Sequence, residues 1–314
     1  MFDLLFSLFY LHLMKNTKLS ATIDEQIEIL KGRGMTLDFD EQKTKDILGD
    51  IGYYRLGFYW RSFDLKYSED TEEEDHKFKE GTHFSTIVEL YYLNYELRLL
   101  LLRYLHRAEI NLRSKIIYRL SRKYKTNPLW FCDKNIMEAN YVDKFNNSIY
   151  KNIKFWNKPI SYHHKKYDED KYAPAWKTIE FFDFGQTLGL FQNLKFDADR
   201  KMVIRDYPEF FKTNHFRTAI RSLIELRNAC SHGSVLFDYR GNNTLPYIDG
   251  VKYNEKVPKN FDSQLRLLSY FIGKISQNRK KELHEKLNMV FAKFSTNPEI
   301  EEIVKNEIGY IHFK

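Results

Sequence analysis

The stretch between Gly81 and Pro128 constrains the fold of this 314-residue chain more than any other, because it contains neither Gly nor Pro. Within it, apolar residues recur at intervals of three and four, as they do along the buried face of a helix. These residues are Leu97, Leu101, Leu105, Ala108, Leu112, Ile116 and Leu120. The spacing predicts one very long helix, or two nearly continuous helices, between Thr82 and Asn127. Only 13 Gly and 7 Pro occur in the whole chain, which favours an all-α fold over a turn-rich β fold.

The rest of the chain predicts shorter helices. Thr22 and Glu25 form a capping-box pattern before the apolar positions of the first one. The predicted segments are Thr22–Leu30, Asp40–Leu48 stopped by Gly49, Asn140–Trp156, Ala173–Gly185, Phe261–Ser276, Arg279–Phe294 and Pro298–Ile308. Ser161–Tyr172 is predicted to be a mobile connection, and Ser234–Val257 a loop or small hairpin. The predicted acidic loop Ser68–Asp75 would repel phosphate.

The last of the predicted central helices lies between Pro208 and Gly233 and ends in a polar set. Ala219, Leu223, Leu226 and Cys230 form its inward stripe. Asn228 and His232 are four residues apart and share a face, and the long side chain of Arg227 can reach that face. Gly233 is a natural helix stop. An imidazole, a guanidinium and an amide together suit chemistry on a phosphate.

The Arg-x4-His spacing alone is weak support for a catalytic site. A second copy, Arg279 to His284, falls in a charged segment that we expect to be exposed, and we interpret it as a decoy. For Arg227, Asn228 and His232 the alternative is a structural hydrogen-bond network that ties helices together.

Composition restricts the environment and the partner. The net charge of +7 permits an anionic partner such as nucleic acid, although a Lys-rich proteome gives the same value. Cys132 and Cys230 provide neither a disulfide framework nor a zinc pattern, so we expect a reducing, cytoplasmic location. Phe2–Leu13 is apolar but too short to span a bilayer. It is either an amphipathic helix or an extension upstream of a protein that begins at Met14.

Two further local patterns have alternative interpretations. Ile51–Trp60 is dense in aromatic residues and contains two glycines, which suits either base stacking or close helix packing. His163 and His164 are adjacent, but no carboxylate or Cys set lies at ligand spacing, so no metal site and no cofactor are expected.

Several separated stretches, taken in order, resemble one family. They are Gln26-x3-Leu30-x-Gly32-x-Gly34, Ile51-Gly-Tyr-Tyr-Arg-Leu56, Gly81-Thr-x-Phe84, Leu90-Tyr91 with Leu97-Arg98, Ala108-Glu-Ile-x2-Arg113-Ser114, Pro174-x-Trp176 through Phe184-Gly185, and Arg227-Asn-Ala-Cys-Ser-His232. This set, from about Lys18 to Tyr239, is similar to the Abi-like (abortive infection, AbiD/AbiF) proteins of bacteria. One departure is that relatives more often have Ala-His-His where this chain has Ser231-His232-Gly233.

The resemblance implies a HEPN-type helical bundle with additional N- and C-terminal helices. Its expected parts are an N-terminal extension over 1–17, the Abi-like domain over 18–240, and a C-terminal helical extension over 241–314 packed on the same body. It also implies a phage-defence protein of toxin–antitoxin type that acts as a metal-independent endoribonuclease and homodimer, without a membrane partner. The alternative is a non-catalytic protein that holds a small non-coding RNA or a defence partner.

The resemblance and the residue pattern together give a set of expected site residues. The catalytic residues are expected to be Arg227, Asn228 and His232. The expected RNA contacts are Arg221, Arg113, Arg107, Tyr54 and Arg55. The basic face of the long helix contributes two of these, and the remaining charges there (Arg98, Arg103, Arg119, Arg122 and Lys123) are expected mostly to solvate the helix. Glu109 and Arg113, four residues apart, are expected to pair.

Overall fold

The computed structural model describes residues 20–65, 77–210, 212–253 and 259–313. Within these residues the regular structure is helical, with a few isolated bridges and no strand, so the all-α prediction is confirmed. The acidic run Ser68–Asp75 and the segment Phe2–Leu13 lie outside the described residues. The chain forms two compact units, one up to Tyr91 and the other from Tyr92 onward. The expected boundaries near residues 17 and 240 stay a prediction.

The described residues of the first unit include three short helices, and polar caps fix where the first two begin. They are α1 (Ile23–Gly32), α2 (Glu41–Ile51) and α3 (Tyr53–Leu56). The Thr22–Glu25 capping box is present, and Asp40 Oδ1 accepts a 2.8 Å hydrogen bond from the Lys43 N–H. The predicted stop at Gly49 is wrong, because α2 continues to Ile51. It ends where Gly52 adopts φ 90°, a conformation that suits glycine.

Helix α4 (Phe84–Lys123) is a single helix of 40 residues, which decides between the two alternatives for this stretch. The predicted apolar stripe is buried: Leu97, Leu101, Leu105, Ile116 and Leu120 are 0% exposed. Each such side chain contributes roughly 1.5–3 kcal/mol of burial free energy relative to exposure. The stripe therefore anchors α4 over most of its length.

The basic face of α4 is less solvated than its sequence indicates. Arg113 is 7% exposed and donates to Glu109 at 2.6 Å and to the Glu180 carbonyl at 2.7 Å. Arg119 is 8% exposed and donates to the carboxylate of Asp206 at 2.5 Å. These partners offset the cost of burying a guanidinium. The expected Glu109–Arg113 pair is present. Arg113, expected to contact RNA, and Arg119, expected to solvate the helix, instead join α4 to the segments that pack on it.

The remaining helices all lie in the second unit. They are α5 (Ala139–Phe145), α6 (Lys151–Trp156), α7 (Lys158–Lys166), α8 (Ala175–Thr178), α9 (Phe184–Gln192), α10 (Asp197–Ile204), α11 (Thr213–Ser231), α12 (Phe261–Ile275), α13 (Gln277–Phe294) and α14 (Pro298–Ile303). Helix α11 packs against α9, α10 and α12, and α12 pairs with α13. Phe216 of α11 lies 5.2–5.9 Å, ring centroid to ring centroid, from Phe191, Tyr207, Phe210 and Phe271. Helix α11 is thus a central element of the second unit.

Two local predictions in this unit are wrong. The first half of the segment predicted to be a mobile connection belongs to α7, and its His163 is buried and bonded to Asp170 across 2.9 Å. The predicted helix Ala173–Gly185 is interrupted, because Asp183 caps a new helix through a capping box with Gln186. Residues 234–253 form no hairpin, and Arg240 makes one bridge to Asn260.

Candidate functional site

The polar set predicted from the sequence lies at the C-terminal end of α11. The inward stripe holds, since Ala219, Leu223 and Leu226 are 0% exposed and Cys230 is 1% exposed. His232 is the capping residue, and its N–H donates to the Asn228 carbonyl at 2.9 Å. Gly233 then adopts φ 76°.

The chain changes direction sharply after His232. The Ser234 N–H donates to the Ala229 carbonyl at 2.9 Å, which is the six-to-one bond of a Schellman motif. The helix therefore stops at the imidazole, and the His232 side chain is exposed at its end.

One face of α11 carries a row of exposed or half-buried polar residues. Arg217, Arg221, Asn228 and His232 are separated by four, seven and four residues, so helical periodicity places them on the same face. Arg217, Arg221 and His232 are exposed and Asn228 is half-buried. Besides His232, this face therefore carries three potential phosphate-binding groups, on Arg217, Arg221 and Asn228.

The side chains of Arg227, Asn228 and His232 have no hydrogen-bond or ion-pair partner among the residues that the structure describes. Arg227 is half-buried, like Asn228. The structural Arg–Asn–His network, the alternative raised by the sequence, is therefore not formed in this part of the chain. A guanidinium, an amide and an imidazole are left with their polar atoms available to a ligand.

Helix α4 fixes the chain immediately after His232. Asn94 is 0% exposed, donates to the Ser234 carbonyl at 3.1 Å, and accepts from the Leu236 N–H at 2.9 Å. One buried amide thus satisfies two backbone groups of the turn. The position of His232 depends on this contact, because the turn begins at the next residue.

Arg98 lies one helical turn beyond Asn94 and beside the last turn of α11. Its Nε atom is buried without a partner. Burial raises the pKa of the Cys230 thiol to about 12, and the nearby positive charge of Arg98 opposes that rise. Cys230 is therefore a core thiol and a poor nucleophile at neutral pH. The sequence analysis included Arg98 in the family resemblance and among the solvating charges, but nothing in the spacing relates it to Cys230.

Glu225 holds the loop that contains Asn242 and Asn243 close to the polar face of α11. Its carboxylate accepts from Asn243 Nδ2 at 2.8 Å and from the Asn242 N–H at 3.3 Å. The loop also passes close to α12, since a Cβ on Gly241 would lie 2.6 Å from Gln264 Nε2. Glu225 lies on the same stripe of α11 as Arg221 and Asn228, and its carboxylate is therefore already hydrogen-bonded to two loop residues.

The expected RNA contacts differ in their availability. Arg221 and Arg107 are exposed. The expected RNA contact at Arg113 does not agree with the structure, because its guanidinium is buried and already bonded to Glu109 and Glu180. A phosphate cannot reach this side chain.

The other two expected contacts, Tyr54 and Arg55, lie in the first unit. Tyr54 is 82% exposed, and Arg55 is half-buried with its guanidinium 6.0 Å from the Phe58 ring. In the same aromatic segment Tyr59 and Trp60 are 1% and 8% exposed. Helix packing therefore accounts for those two rings, and Tyr54 remains open to solvent.

The second Arg-x4-His spacing has a different environment. His284 Nε2 lies 2.5 Å from Ser269 Oγ, and its ring stacks on Phe313 with centroids 3.9 Å apart. Burial, followed by the charges of Lys280 and Arg266, lowers the pKa of His284 to about 4. The expectation that this segment is exposed is wrong at His284, which is half-buried and packed between α12 and the C-terminal residues.

Among the described residues, no group of three or more His, Cys, Asp and Glu side chains could hold a metal ion. His163 bonds Asp170, and His164 bonds the Tyr150 hydroxyl at 2.7 Å, so both adjacent histidines have structural partners. No helix in the described ranges has the length and apolar character needed to cross a bilayer.

The fold and site define an all-α protein with an Arg–Asn–x3–His set open to solvent at the end of a buried helix. A family model for the Abi-like proteins matches residues 46–238, which include that set and most of the chain, and the chain belongs to this family. At the level of the family, its function is abortive infection, a form of phage defence. Searches of curated proteins and of solved structures found no match.

Proposed function

We propose that this protein is a metal-independent endoribonuclease of phage defence, with Arg227, Asn228 and His232 as its catalytic residues. The observation that carries the proposal is the set itself: three polar side chains at the end of α11, with no partner among the described residues, on a helix that is otherwise tightly packed. The resemblance to HEPN-type ribonucleases, which share the Arg-x4–6-His spacing, supports the same assignment.

The chemistry uses a nucleophile that RNA itself supplies. His232 accepts the proton of a 2′-hydroxyl, the 2′-oxygen attacks the adjacent phosphorus, and the bond from phosphorus to the 5′-oxygen breaks. A second imidazole, from the other copy in a homodimer, donates a proton to the leaving 5′-oxygen. The products are a 2′,3′-cyclic phosphate and a 5′-hydroxyl. Because the 2′-hydroxyl is internal to the substrate, the step requires no metal-activated water.

Arg227 and Asn228 stabilise the reacting phosphate. The planar guanidinium of Arg227 donates two hydrogen bonds to the phosphate oxygens as negative charge increases in the transition state. Asn228 orients either the phosphate or the imidazole. Arg221 and Arg217, on the same face of α11, bind neighbouring phosphates, and Arg98 adds positive charge beside the last turn.

The test combines end-group analysis with two matched histidine variants. Purified protein is incubated with total RNA with and without EDTA, and cleavage should persist in EDTA and leave cyclic phosphate ends. His232→Ala should abolish cleavage, whereas His215→Ala should not, because His215 is an exposed histidine at the opposite end of the same helix. A folded His232→Ala protein that cuts RNA at the native rate would contradict the catalytic assignment. RNA binding without any cleavage by the native protein would instead favour the non-catalytic alternative.

A further inference from the structure

A second basic surface is formed by helices α6 and α7. Between Lys144 and Tyr167 the sequence contains no Asp and no Glu. The lysines in this interval are Lys144, Lys151, Lys154, Lys158, Lys165 and Lys166, and all are exposed. None of them pairs with a carboxylate within the described residues. Direct ion pairs therefore do not neutralise these lysines within the described residues.

Exposed aromatic rings lie among these lysines. Phe155 is 77% exposed and Trp156 is 76% exposed, and the two rings meet edge to face with centroids 4.8 Å apart. Tyr162, on α7, is 65% exposed. We refer to Lys151, Lys154, Phe155, Trp156, Lys158 and Tyr162 as the aromatic–lysine patch. Two large apolar rings left almost fully in water, side by side, are typical of a binding surface.

The patch stands on a well-packed support. Ile153 and Ile160 are 4% and 0% exposed, so both helices already bury their apolar faces. The Tyr150 hydroxyl contacts His164 and accepts from the Ala173 N–H at 2.6 Å. Burial lowers the pKa of His164, the charges of Lys154 and His163 lower it further, and Asp170 partly opposes these effects. The exposed rings are therefore held in place by the residues beneath them.

We propose that the aromatic–lysine patch binds single-stranded RNA, with unpaired bases stacking on Phe155 and Trp156 and the lysines contacting the phosphates. Aromatic rings within a positively charged surface are the usual platform for single strands, because every base has a face that can stack. Bases in a duplex are already stacked on their neighbours and do not offer those faces. The inference rests on RNA being the ligand, as in the proposed function, and adds a binding surface separate from the catalytic set.

Two other occupants fit less well. A helix that lies in a membrane interface needs a continuous apolar face, and here those faces are used internally at Ile153 and Ile160. A second copy of the chain in a two-fold interface would place the same lysines opposite one another, which is electrostatically unfavourable. Single-stranded RNA satisfies both the rings and the charges.

Binding is measured by fluorescence anisotropy with a fluorescein-labelled oligouridine, in the His232→Ala background so that the strand is not consumed. Phe155→Ala/Trp156→Ala should weaken binding by about tenfold or more. Phe155→Tyr/Trp156→Phe should restore it. Replacing Lys151, Lys154 and Lys158 by Ala should make the slope of log affinity against log salt shallower by about two. The controls are Tyr247→Ala and Lys281→Ala, an exposed ring and an exposed lysine elsewhere in the chain, and both should bind as the parent does.

Trp156 also provides a direct signal. Its indole is exposed, so stacking of a base should quench tryptophan fluorescence, and the quenching should be lost in Trp156→Phe. The same strand annealed to its complement should bind more weakly and quench less. Circular dichroism confirms that each variant is folded.

The outcomes distinguish a failure of the aromatic–lysine patch as an RNA surface from a failure of the proposed catalytic function. If the ring variant binds oligouridine as tightly as Tyr247→Ala does, the aromatic–lysine patch is not an RNA surface, whatever the cleavage assay gives. Loss of binding to phosphatidylserine vesicles with RNA binding unchanged would assign the patch to a membrane, and loss of self-association alone would assign it to a second copy. If His232→Ala still cuts total RNA while the oligouridine stays intact, the catalytic assignment fails and the binding result stands.

Discussion

At the residue scale, the site depends on which polar groups are already engaged. Arg113 and Arg119 were indistinguishable in sequence from the exposed arginines of α4, yet their guanidinium groups are buried against partners. Those partners are Glu180 and Asp206, which are distant in the sequence. Arg227 has no such partner among the described residues. The difference between a structural and a functional arginine therefore lies in its surroundings.

Arg227→Lys is predicted to separate RNA binding from cleavage. Lysine keeps the positive charge, so most of the binding should remain, but it lacks the planar pair of donors that matches two phosphate oxygens. Losing such an oriented pair costs on the order of 3 kcal/mol at the transition state, or about a hundredfold or more in rate. Filter binding and single-turnover cleavage of the same RNA measure the two effects.

The control for this prediction is Arg279→Lys, an exposed arginine of the second Arg-x4-His spacing, which should change cleavage little. A native cleavage rate in Arg227→Lys would show that Arg227 serves as a point charge or a structural residue. Parallel loss of binding and cleavage would assign it to holding RNA, which supports the non-catalytic alternative.

At the element scale, the periodicity of the sequence was sufficient for α4, α11 and the C-terminal helices. It also placed Asn228 and His232 on one face and Gly233 at the helix end. It could not reveal Asn94 and Arg98 as neighbours of the site, because their proximity results from the packing of α4 and α11. It also missed α7, whose histidines and lysines resemble a loop in composition, whereas buried Ile160 and His163 hold it as a helix.

Asn94→Ala is predicted to destabilise the turn after His232. It removes the donor to the Ser234 carbonyl and the acceptor for the Leu236 N–H, and an unsatisfied buried group costs about 1–3 kcal/mol. Cleavage should fall as well, since the turn positions His232. Thr178→Val is the matched control, because Thr178 is also 0% exposed and bonds a carbonyl elsewhere in the second unit. Urea unfolding and single-turnover cleavage should show a stability loss in both variants and a rate loss in Asn94→Ala alone.

The pairing of α12 with α13 is predicted to weaken in acid through His284. The folded-state pKa of about 4 lies below the ordinary value of 6.5, so as the pH falls through 6.5 the unfolded chain takes up a proton that the folded chain does not. Unfolding is therefore favoured progressively between pH 6.5 and about 4. His284→Gln does not titrate and should lose less stability over that range, as measured by urea unfolding at several pH values. Identical pH profiles for the two proteins would contradict this account.

At the scale of the whole molecule, the net charge of +7 is distributed unevenly, since six lysines and no acidic residue lie between Lys144 and Tyr167. Arg217 and Arg221, the exposed arginines of α11, form a separate basic surface. Each phosphate contact releases counterions, so RNA affinity should fall about tenfold or more from low to physiological salt. Sequence composition alone could not assign this charge to surfaces, because lysines and acidic residues that are distant in sequence pair in the folded chain.

The proposed mechanism also makes a prediction about assembly, since one His232 cannot serve as base and acid for the same phosphate at the same time. We predict a homodimer in which Arg227 and His232 of both chains lie at a shared cleft. Sedimentation at the concentration of the cleavage assay should give the mass of a dimer. Adding an excess of His232→Ala protein should lower the rate per native chain, because most native chains then pair with a partner that lacks the second imidazole. An equal excess of His215→Ala protein is the control and should not lower the rate. A fully active monomer, or a rate that is indifferent to excess His232→Ala, would show that each chain cuts RNA with a single histidine.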